Sequence, residues 1–131
     1  MKKIIKSDKE WRETLTEEEF NITRKKGTEA PFSGKEFKII NNGSFKCKCC
    51  NADLFNSLAK YDSGCGWPSF FDQISPEAIK TETDKSHGMN RVEILCAKCD
   101  SHLGHIFDDG PQPTGQRYCV NSLSIKYKEN E

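Results

Sequence analysis

Two Cys-x2-Cys pairs restrict the fold of this chain more than any other feature of its sequence. Cys47 and Cys50 form the first pair, and Cys96 and Cys99 form the second. In such a pair the two thiolates converge on one side of a tight turn, and two pairs complete a tetrahedral ligand set for Zn²⁺. Residues 51–95 separate the pairs, a spacing longer than that of a compact zinc finger. The metal would therefore join distant parts of the chain.

Two other ligand sets use neighbouring residues. Cys49 could replace Cys47 or Cys50, but an adjacent pair or a Cys-x-Cys pair suits a zinc knuckle less well. A set formed by the first cysteine pair with His102 and His105 would use a His-x2-His spacing shorter than the usual one and would leave the second cysteine pair without a function. We therefore predict one zinc ion held by the two Cys-x2-Cys pairs. Because four thiolates leave no open position, this zinc would be structural.

The length and charge of the chain limit its domain count and its partners. A chain of 131 residues is long enough for one hydrophobic core but not for two, so we expect a single domain over residues 1–131. Hydrophobic residues make up 34% of it and the mean hydropathy is −0.77, so a metal cross-link would help a lean core. Lys+Arg and Asp+Glu balance at 20 each. With no net positive charge, nucleic acids and membranes are not expected as partners.

The start of the chain bears on its location. The first six residues are basic, but no apolar run of signal-peptide length follows them, and no run elsewhere could span a bilayer. We therefore expect the protein in the cytoplasm. Thiols stay reduced there, so cysteines are expected to serve metal binding or catalysis rather than structural disulfides.

The first 33 residues are predicted to form a helical arm that packs on the rest of the domain. Ser7 to Glu10 and Thr16 to Glu19 both match the capping box that starts a helix, so two short helices are expected. Gly27 and Pro31 are expected to end the helical stretch. A charged, solvated arm is the alternative. The apolar residues expected to contact the rest of the domain are Trp11, Leu15, Phe20 and Ile22.

Residues 37–127 are predicted to form a mainly β body. Short runs of β-branched and aromatic residues alternate there with Gly, Pro, Asn and Asp, a pattern typical of strands separated by turns. Residues 41–43 and 108–111 are turn sequences because Asn and Gly tolerate positive φ and Pro fixes its own φ. The predicted strands are 37–40, 44–47, 54–56, 79–83, 91–96, 116–120 and 122–127.

Three cysteines, Cys49, Cys65 and Cys119, remain outside the predicted metal set. If the stretch around the last of them is extended, Arg117, Cys119 and Asn121 share one face of the strand. A nearby guanidinium lowers the pKa of a cysteine and favours the reactive thiolate. Cys119 is therefore the candidate nucleophile, and the alternative is a small core residue.

Other candidates for the site flank these cysteines. His102 and His105 follow directly on the second zinc knuckle, and an imidazole could donate a proton to a leaving oxygen or orient a water. Cys65 lies between glycines, so we expect it on a mobile loop that can reach another sulfur. Trp67 and Phe70 could form an apolar pocket wall, although aromatic residues in such a stretch also serve as core.

Together these residues resemble the methionine-R-sulfoxide reductases of the B type. The resemblance covers residues 37–127 in the order of the family. It implies a mainly β fold of two antiparallel sheets, of the Mss4-like or β-tent type, with short N-terminal helices and a structural zinc site away from the active site. The matching stretches are 45–55, 60–71, 91–107, 109–111, 115–122 and a final strand, 123–127.

The resemblance also implies the roles of individual residues. Cys119 corresponds to the nucleophile and Cys65 to the resolving cysteine. Trp67 corresponds to the residue that packs against the methyl group of the substrate, with Phe70 expected beside it, and Arg117 to a residue close to the catalytic thiol. The residues that correspond to those around the reacting sulfoxide are His102, His105 and Asn121.

The family chemistry would reduce the R epimer of protein-bound methionine sulfoxide. Cys119 would become a sulfenic acid, Cys65 would condense with it to a disulfide, and thioredoxin would reduce that disulfide. Zinc would be the only cofactor, oxidised proteins or peptides the substrates, and the protein a monomer. An alternative is a non-catalytic zinc-stabilised binding module in which Cys119 only packs. A zinc-ribbon nucleic-acid binder is disfavoured by the absence of net charge.

Overall fold

The computed structural model describes residues 3–31, 33–34 and 42–129, and two short helices lie at its start. They are α1 (Asp8–Thr14) and α2 (Glu17–Arg24). Both predicted capping boxes are formed: the side chains of Ser7 and Thr16 each accept a hydrogen bond from the backbone N–H three residues later, and the glutamate at that position accepts one from the backbone N–H of the cap residue. The second helix ends at Arg24, before Gly27, and Lys26 between them has a positive φ of 57°.

The helical arm packs its apolar side chains into the same cluster as the strands. Trp11 and Phe20 are fully buried there, and Leu15 and Ile22 are also buried. Arg24 lies over the ring of Trp11, with its guanidinium carbon 4.5 Å from the ring centroid. The helices are therefore held by side-chain packing rather than by sheet hydrogen bonds.

The described residues form nine strands in two antiparallel sheets. The three-stranded sheet has the order β2-β1-β9, and the six-stranded sheet has the order β3-β4-β8-β7-β6-β5. The strands are β1 (Gly43–Cys47), β2 (Asp53–Asn56), β3 (Lys60–Tyr61), β4 (Ser69–Phe70), β5 (Ile79–Asp84), β6 (Arg91–Cys96), β7 (His102–Phe107), β8 (Arg117–Val120) and β9 (Ile125–Glu129). The predicted fold class, mainly β with two antiparallel sheets, is confirmed.

Several predicted strands differ from the observed ones. The predicted strand 122–127 begins only at Ile125, because Ser122–Ser124 form a turn of 3-10 helix. Strands β3, β4 and β7 were not predicted from the sequence: the first two have only two residues each, and β7 contains two histidines and a glycine. The predicted strand 37–40 lies outside the described residues, as does the start of the predicted turn 41–43.

Aromatic side chains join the two sheets. Phe45 on β1 meets Phe70 on β4 edge to face, with ring centroids 4.9 Å apart. Phe55 on β2 stacks on the same ring at 4.1 Å. All three side chains are fully buried, so the faces of the two sheets enclose the core between them. Within the described residues, neither helix has the length and apolar character that crossing a membrane requires.

Candidate active site and metal centre

Three neighbouring strands of the larger sheet bring the candidate catalytic residues together. Cys119 on β8 is paired with Ser69 on β4 and with His105 on β7. The approach of β7 to β8 depends on Gly104, where an added Cβ would lie 1.9 Å from the carbonyl oxygen of Cys119. A residue with a side chain would push the strands apart, so glycine is required for this pairing.

Cys65 and Cys119 are in direct contact. Their Sγ atoms lie 3.1 Å apart, and both are free thiols. The Ser63 hydroxyl donates to Cys65 Sγ at 3.0 Å, and the Ser69 hydroxyl lies 3.4 Å from it. Burial opposes ionisation of Cys65, but these hydrogen bonds outweigh it and the pKa of Cys65 falls to about 7. Ser63 and Ser69 were not singled out in the sequence.

Arg117 contacts Cys119 as the alternation along the strand predicted. Its Nη1 donates to Cys119 Sγ at 2.8 Å, and two further hydrogen bonds from Arg117 to Asp109 fix the guanidinium. Burial raises the pKa of Cys119 and the adjacent Cys65 raises it further, while Arg117 lowers it. The net pKa of Cys119 is about 12. The predicted effect of Arg117 is present but is outweighed while the two sulfurs are in contact.

A cavity of about 310 Å³ opens in front of the two thiols. Thr28, Arg91 and Phe107 were not predicted to contribute to its wall, but they line it together with predicted site residues. The only signal for Phe107 in the sequence is its position two residues after His105, which places both on one face once the stretch is known to be the strand β7. The predicted residues on the wall are Cys65, Trp67, His105, Arg117, Cys119 and Asn121.

Phe70, predicted to bind substrate beside Trp67, is not among the residues that line this cavity, and its side chain is fully buried. Successive side chains of a strand point to opposite faces of the sheet. Ser69 directs its hydroxyl towards Cys65, so Phe70 faces the other way and stacks on Phe55 in the core. The aromatic pocket wall is therefore made by Trp67 and Phe107.

Each of the two predicted histidines is held by a carboxylate. The Nδ1 of His102 lies 2.6 Å from a carboxylate oxygen of Glu93, and the Nε2 of His105 lies 2.7 Å from one of Asp84. Burial lowers the pKa of His102, although Glu93 acts in the opposite direction. Within the described part of the chain, His102 Nε2 has no hydrogen-bond partner. His105 lines the cavity, whereas His102 is not among the lining residues.

The four cysteines of the two Cys-x2-Cys pairs come together at the ends of β1 and β6. Their Sγ atoms all lie within 4.8 Å of one another, and the Cys47–Cys99 and Cys50–Cys96 sulfurs are 3.6 Å apart. A tetrahedron with Zn–S bonds of about 2.3 Å has an edge of about 3.8 Å, so the cluster has the dimensions of a thiolate metal site. These four residues are positioned to bind a metal ion.

The local backbone shows why each pair forms a knuckle. Asn51 donates its backbone N–H to Cys47 O at 2.9 Å, and Asp100 donates to Cys96 O at 2.8 Å. Asn51 and Asp100 adopt positive φ values of 67° and 65°, which Asn and Asp tolerate better than most residues. The two turns are thus built alike.

The alternative ligand sets do not form. Among the described residues, the only group of potential ligands close enough to share an ion contains the four predicted cysteines. Cys49 Sγ lies 3.7 Å from the Ser101 hydroxyl instead. His102 and His105 are occupied by their carboxylate partners.

The fold has a counterpart among solved structures. The crystal structure of the Mis18 Yippee-like domain superposes with a TM-score of 0.55 over 70% of this chain and 99% of that chain. Since only 16% of the residues are identical, this likeness concerns the fold alone.

Sequence relatives cover almost the entire chain. The peptide methionine sulfoxide reductase MsrB of Hahella chejuensis is 58% identical over 127 residues, which is 97% of this chain and 91% of that protein. The MsrB of Teredinibacter turnerae is 57% identical over 97% of this chain and 94% of that protein, and the MsrB of Acinetobacter baylyi is 53% identical over 100% and 94%. The family model described as the SelR domain matches residues 15–129. The chain therefore belongs to the SelR family, as a relative of the MsrB-type peptide methionine sulfoxide reductases.

Proposed function

We propose that this protein reduces the R epimer of protein-bound methionine sulfoxide to methionine, with Cys119 as the nucleophile and Cys65 as the resolving cysteine. One observation carries the proposal: two free thiols lie 3.1 Å apart on the wall of a cavity that also presents an indole, an imidazole and a guanidinium. The similarity to MsrB enzymes over nearly the full chain supports the same activity.

The first step is attack of the Cys119 thiolate on the sulfoxide sulfur. A substrate that enters between the two sulfurs would remove the contact with Cys65, and Arg117 would then favour the thiolate on Cys119. The sulfoxide oxygen passes to Cys119, which becomes a sulfenic acid, and methionine leaves with its sulfur reduced. Trp67 offers an apolar face to the methyl group, and Asn121 offers an N–H of its side-chain amide to the oxygen.

The departing oxygen needs a proton, and His105 is the donor in this proposal. It lines the cavity, and its pairing with Asp84 fixes the ring. His102 lies behind it, with ring centroids 5.7 Å apart. In this arrangement His105 transfers the proton, and His102 packs against His105 without contacting the substrate.

Cys65 then resolves the sulfenic acid. Its thiol attacks Cys119 Sγ, a disulfide forms and water leaves, so the oxygen of the substrate ends in water. A dithiol protein of the thioredoxin type would reduce the disulfide by thiol exchange and take the oxidising equivalents. Cys65 and Arg117 also line a second, more open cavity of about 580 Å³ with Tyr61 and Asp109. This second opening gives the reductant a route to Cys65 that does not pass through the substrate cavity.

The metal takes no part in these steps. Zinc is the proposed ion, because four thiolates with the dimensions described above suit a tetrahedral structural site. When bound it would supply a cross-link and no reactive water. The proposed cycle also requires a reducing compartment, which agrees with the expected cytoplasmic location.

The test is incubation of the protein and a dithiol with separate R and S epimers of a peptide that contains methionine sulfoxide. We expect reduction of the R epimer alone, measured by chromatography of the peptide. Reduction of neither epimer, or a preference for the S epimer, would exclude the proposal.

Two variants test the assignment of the thiols. Cys119→Ser should abolish reduction, whereas Cys49→Ser should leave it unchanged because Cys49 is not among the residues that line the cavity with the two thiols. After one turnover without reductant, mass spectrometry should find a disulfide between Cys65 and Cys119. Full reduction of the R epimer by Cys119→Ser would exclude Cys119 as the nucleophile, whereas a binding module would show no reduction even in the wild-type protein.

A further inference from the structure

Glu29, in the segment that follows α2, is a buried carboxylate with no part in the chemistry described above. Only 8% of its surface is exposed. Its carboxylate accepts hydrogen bonds from the Ser122 hydroxyl at 2.9 Å and from the Leu123 backbone N–H at 3.1 Å. An added Cβ at Gly34 would lie 1.9 Å from this carboxylate, so the chain closes tightly over it. Burial of a carboxylate is costly unless it is hydrogen-bonded in this way.

The backbone of the same residue contacts two side chains of the candidate active site. The Glu29 N–H donates to the Asn121 side-chain oxygen at 3.1 Å. The Trp67 indole N–H donates to the Glu29 carbonyl oxygen at 2.9 Å. Trp67 precedes β4 and Asn121 follows β8, both line the cavity, and Glu29 is a hydrogen-bond partner of both.

The neighbours of Glu29 in the arm also reach the site. Thr28 lines the cavity that contains the two thiols. Lys26 places its ammonium group 3.3 Å from Glu93, the carboxylate that holds His102. The segment from Lys26 to Glu29 therefore reaches His102 through Glu93 and contacts Trp67 directly.

We propose that Glu29 is a positioning residue of the active site: its carboxylate anchors the arm segment to Ser122 and Leu123, so that the backbone of Glu29 can fix Trp67 and Asn121 for substrate binding. The inference rests on the proposed function, because Trp67 and Asn121 are substrate-binding residues only in that proposal. It assigns to the N-terminal arm a part in substrate binding beyond its packing on the core.

The experiment measures KM and kcat for the R-sulfoxide peptide in Glu29→Ala and Glu29→Gln. Glu29→Ala removes both carboxylate oxygens that accept from Ser122 and Leu123, so we expect KM to rise about tenfold. We expect kcat to stay within about twofold, because Cys119, Arg117 and His105 keep their contacts. Glu29→Gln keeps a carbonyl oxygen that can accept from Ser122 and Leu123, and it should bring KM close to the wild-type value.

Glu19→Ala is the matched control within the arm. Glu19 closes the capping box of α2 and pairs with Lys48 at 3.4 Å, so this variant weakens the arm without removing a contact to the cavity. We expect it to lower the thermal unfolding midpoint while KM stays at the wild-type value. An equal rise in KM for Glu19→Ala and Glu29→Ala would overturn the inference, because general loosening of the arm would then explain both.

The remaining outcomes are also decisive. A folded Glu29→Ala protein with wild-type KM would overturn the inference and leave the proposed function intact. If wild-type protein does not reduce the R epimer, the proposed function itself fails. If Glu29→Ala does not fold, Ser122→Ala decides the matter, since it removes one donor to Glu29. A rise in KM of about threefold supports the anchor, and an unchanged KM overturns it.

Discussion

Opposing effects act on the Cys119 sulfur and decide which of two adjacent thiols carries the first negative charge. Burial and contact with Cys65 favour the thiol, while Arg117 at 2.8 Å favours the thiolate. Ser63 and Ser69 stabilise the thiolate of Cys65, whose pKa is about 7. The pair therefore loses one proton near neutral pH, mainly from Cys65, and retains the second proton to high pH on Cys119.

Removal of the Cys65 thiol should lower the pKa of Cys119. In Cys65→Ser the neighbouring thiolate is absent, so the pKa of Cys119 should fall below about 12. Adding Arg117→Met in the same background should raise it again, because the guanidinium no longer stabilises the thiolate. The measurement is the rate of alkylation of Cys119 as a function of pH, followed by mass spectrometry. An unchanged profile in Cys65→Ser would show that Cys65 does not raise the pKa of Cys119.

At the scale of secondary structure, the sequence predicts those elements whose determining residues lie within a few positions of one another. The capping boxes at Ser7 and Thr16 are complete within four residues, and both helices form where they predict. The metal ligands could likewise be predicted, since each Cys-x2-Cys pair is a local turn. Strand β7 could not, because Gly104 interrupts it with low β propensity, and the segment is held extended by β6 and β8 on either side.

The same distinction applies to the site. Arg117 could be predicted near Cys119 because they are two residues apart on one strand. The partners Glu93, Asp84 and Glu29 could not, since each reaches its histidine or asparagine through tertiary contacts. The contact of Glu29 with Asn121 joins residues 92 positions apart. Sequence pattern thus identifies the reactive groups, and the fold supplies the groups that orient them.

Gly104→Ala tests how closely β7 must approach β8. Its Cβ would meet the Cys119 carbonyl, so the strands must separate, and we expect a loss of about 2 kcal/mol in the free energy of unfolding. Activity should fall further than stability predicts, because His105 moves with the strand. Gly88→Ala is the control: its Cβ meets nothing within 4 Å, and only its φ of 69° is strained, at a cost of about 1 kcal/mol. Urea unfolding measures the free energy of unfolding of each variant, and the peptide assay measures its activity. Wild-type activity in Gly104→Ala would contradict the dependence on strand spacing.

At the scale of the whole molecule, the cysteine cluster lies where the two sheets and the helical arm meet. Cys47 ends β1 in the three-stranded sheet, and Cys96 ends β6 in the six-stranded sheet. Arg24 of α2 donates to the carbonyl oxygen of Cys99 at 2.8 Å, so the arm meets both sheets at this point. With 34% hydrophobic residues, the core between the sheets is lean. A metal in this cluster would therefore contribute a large share of the stability of the assembled sheets.

Cys50→Ser tests this contribution, with Cys49→Ser as the matched control one residue away. Loss of one of four thiolates should remove the metal, whose binding free energy in such sites is on the order of 10 kcal/mol, and the urea midpoint should fall sharply. Cys49→Ser leaves the ligand set intact, so it should keep one zinc per chain and the wild-type midpoint. Metal content by atomic absorption and unfolding by circular dichroism measure both effects. If Cys50→Ser unfolds at the wild-type midpoint after losing its metal, aromatic packing between Phe45, Phe55 and Phe70 holds the sheets together without the cross-link.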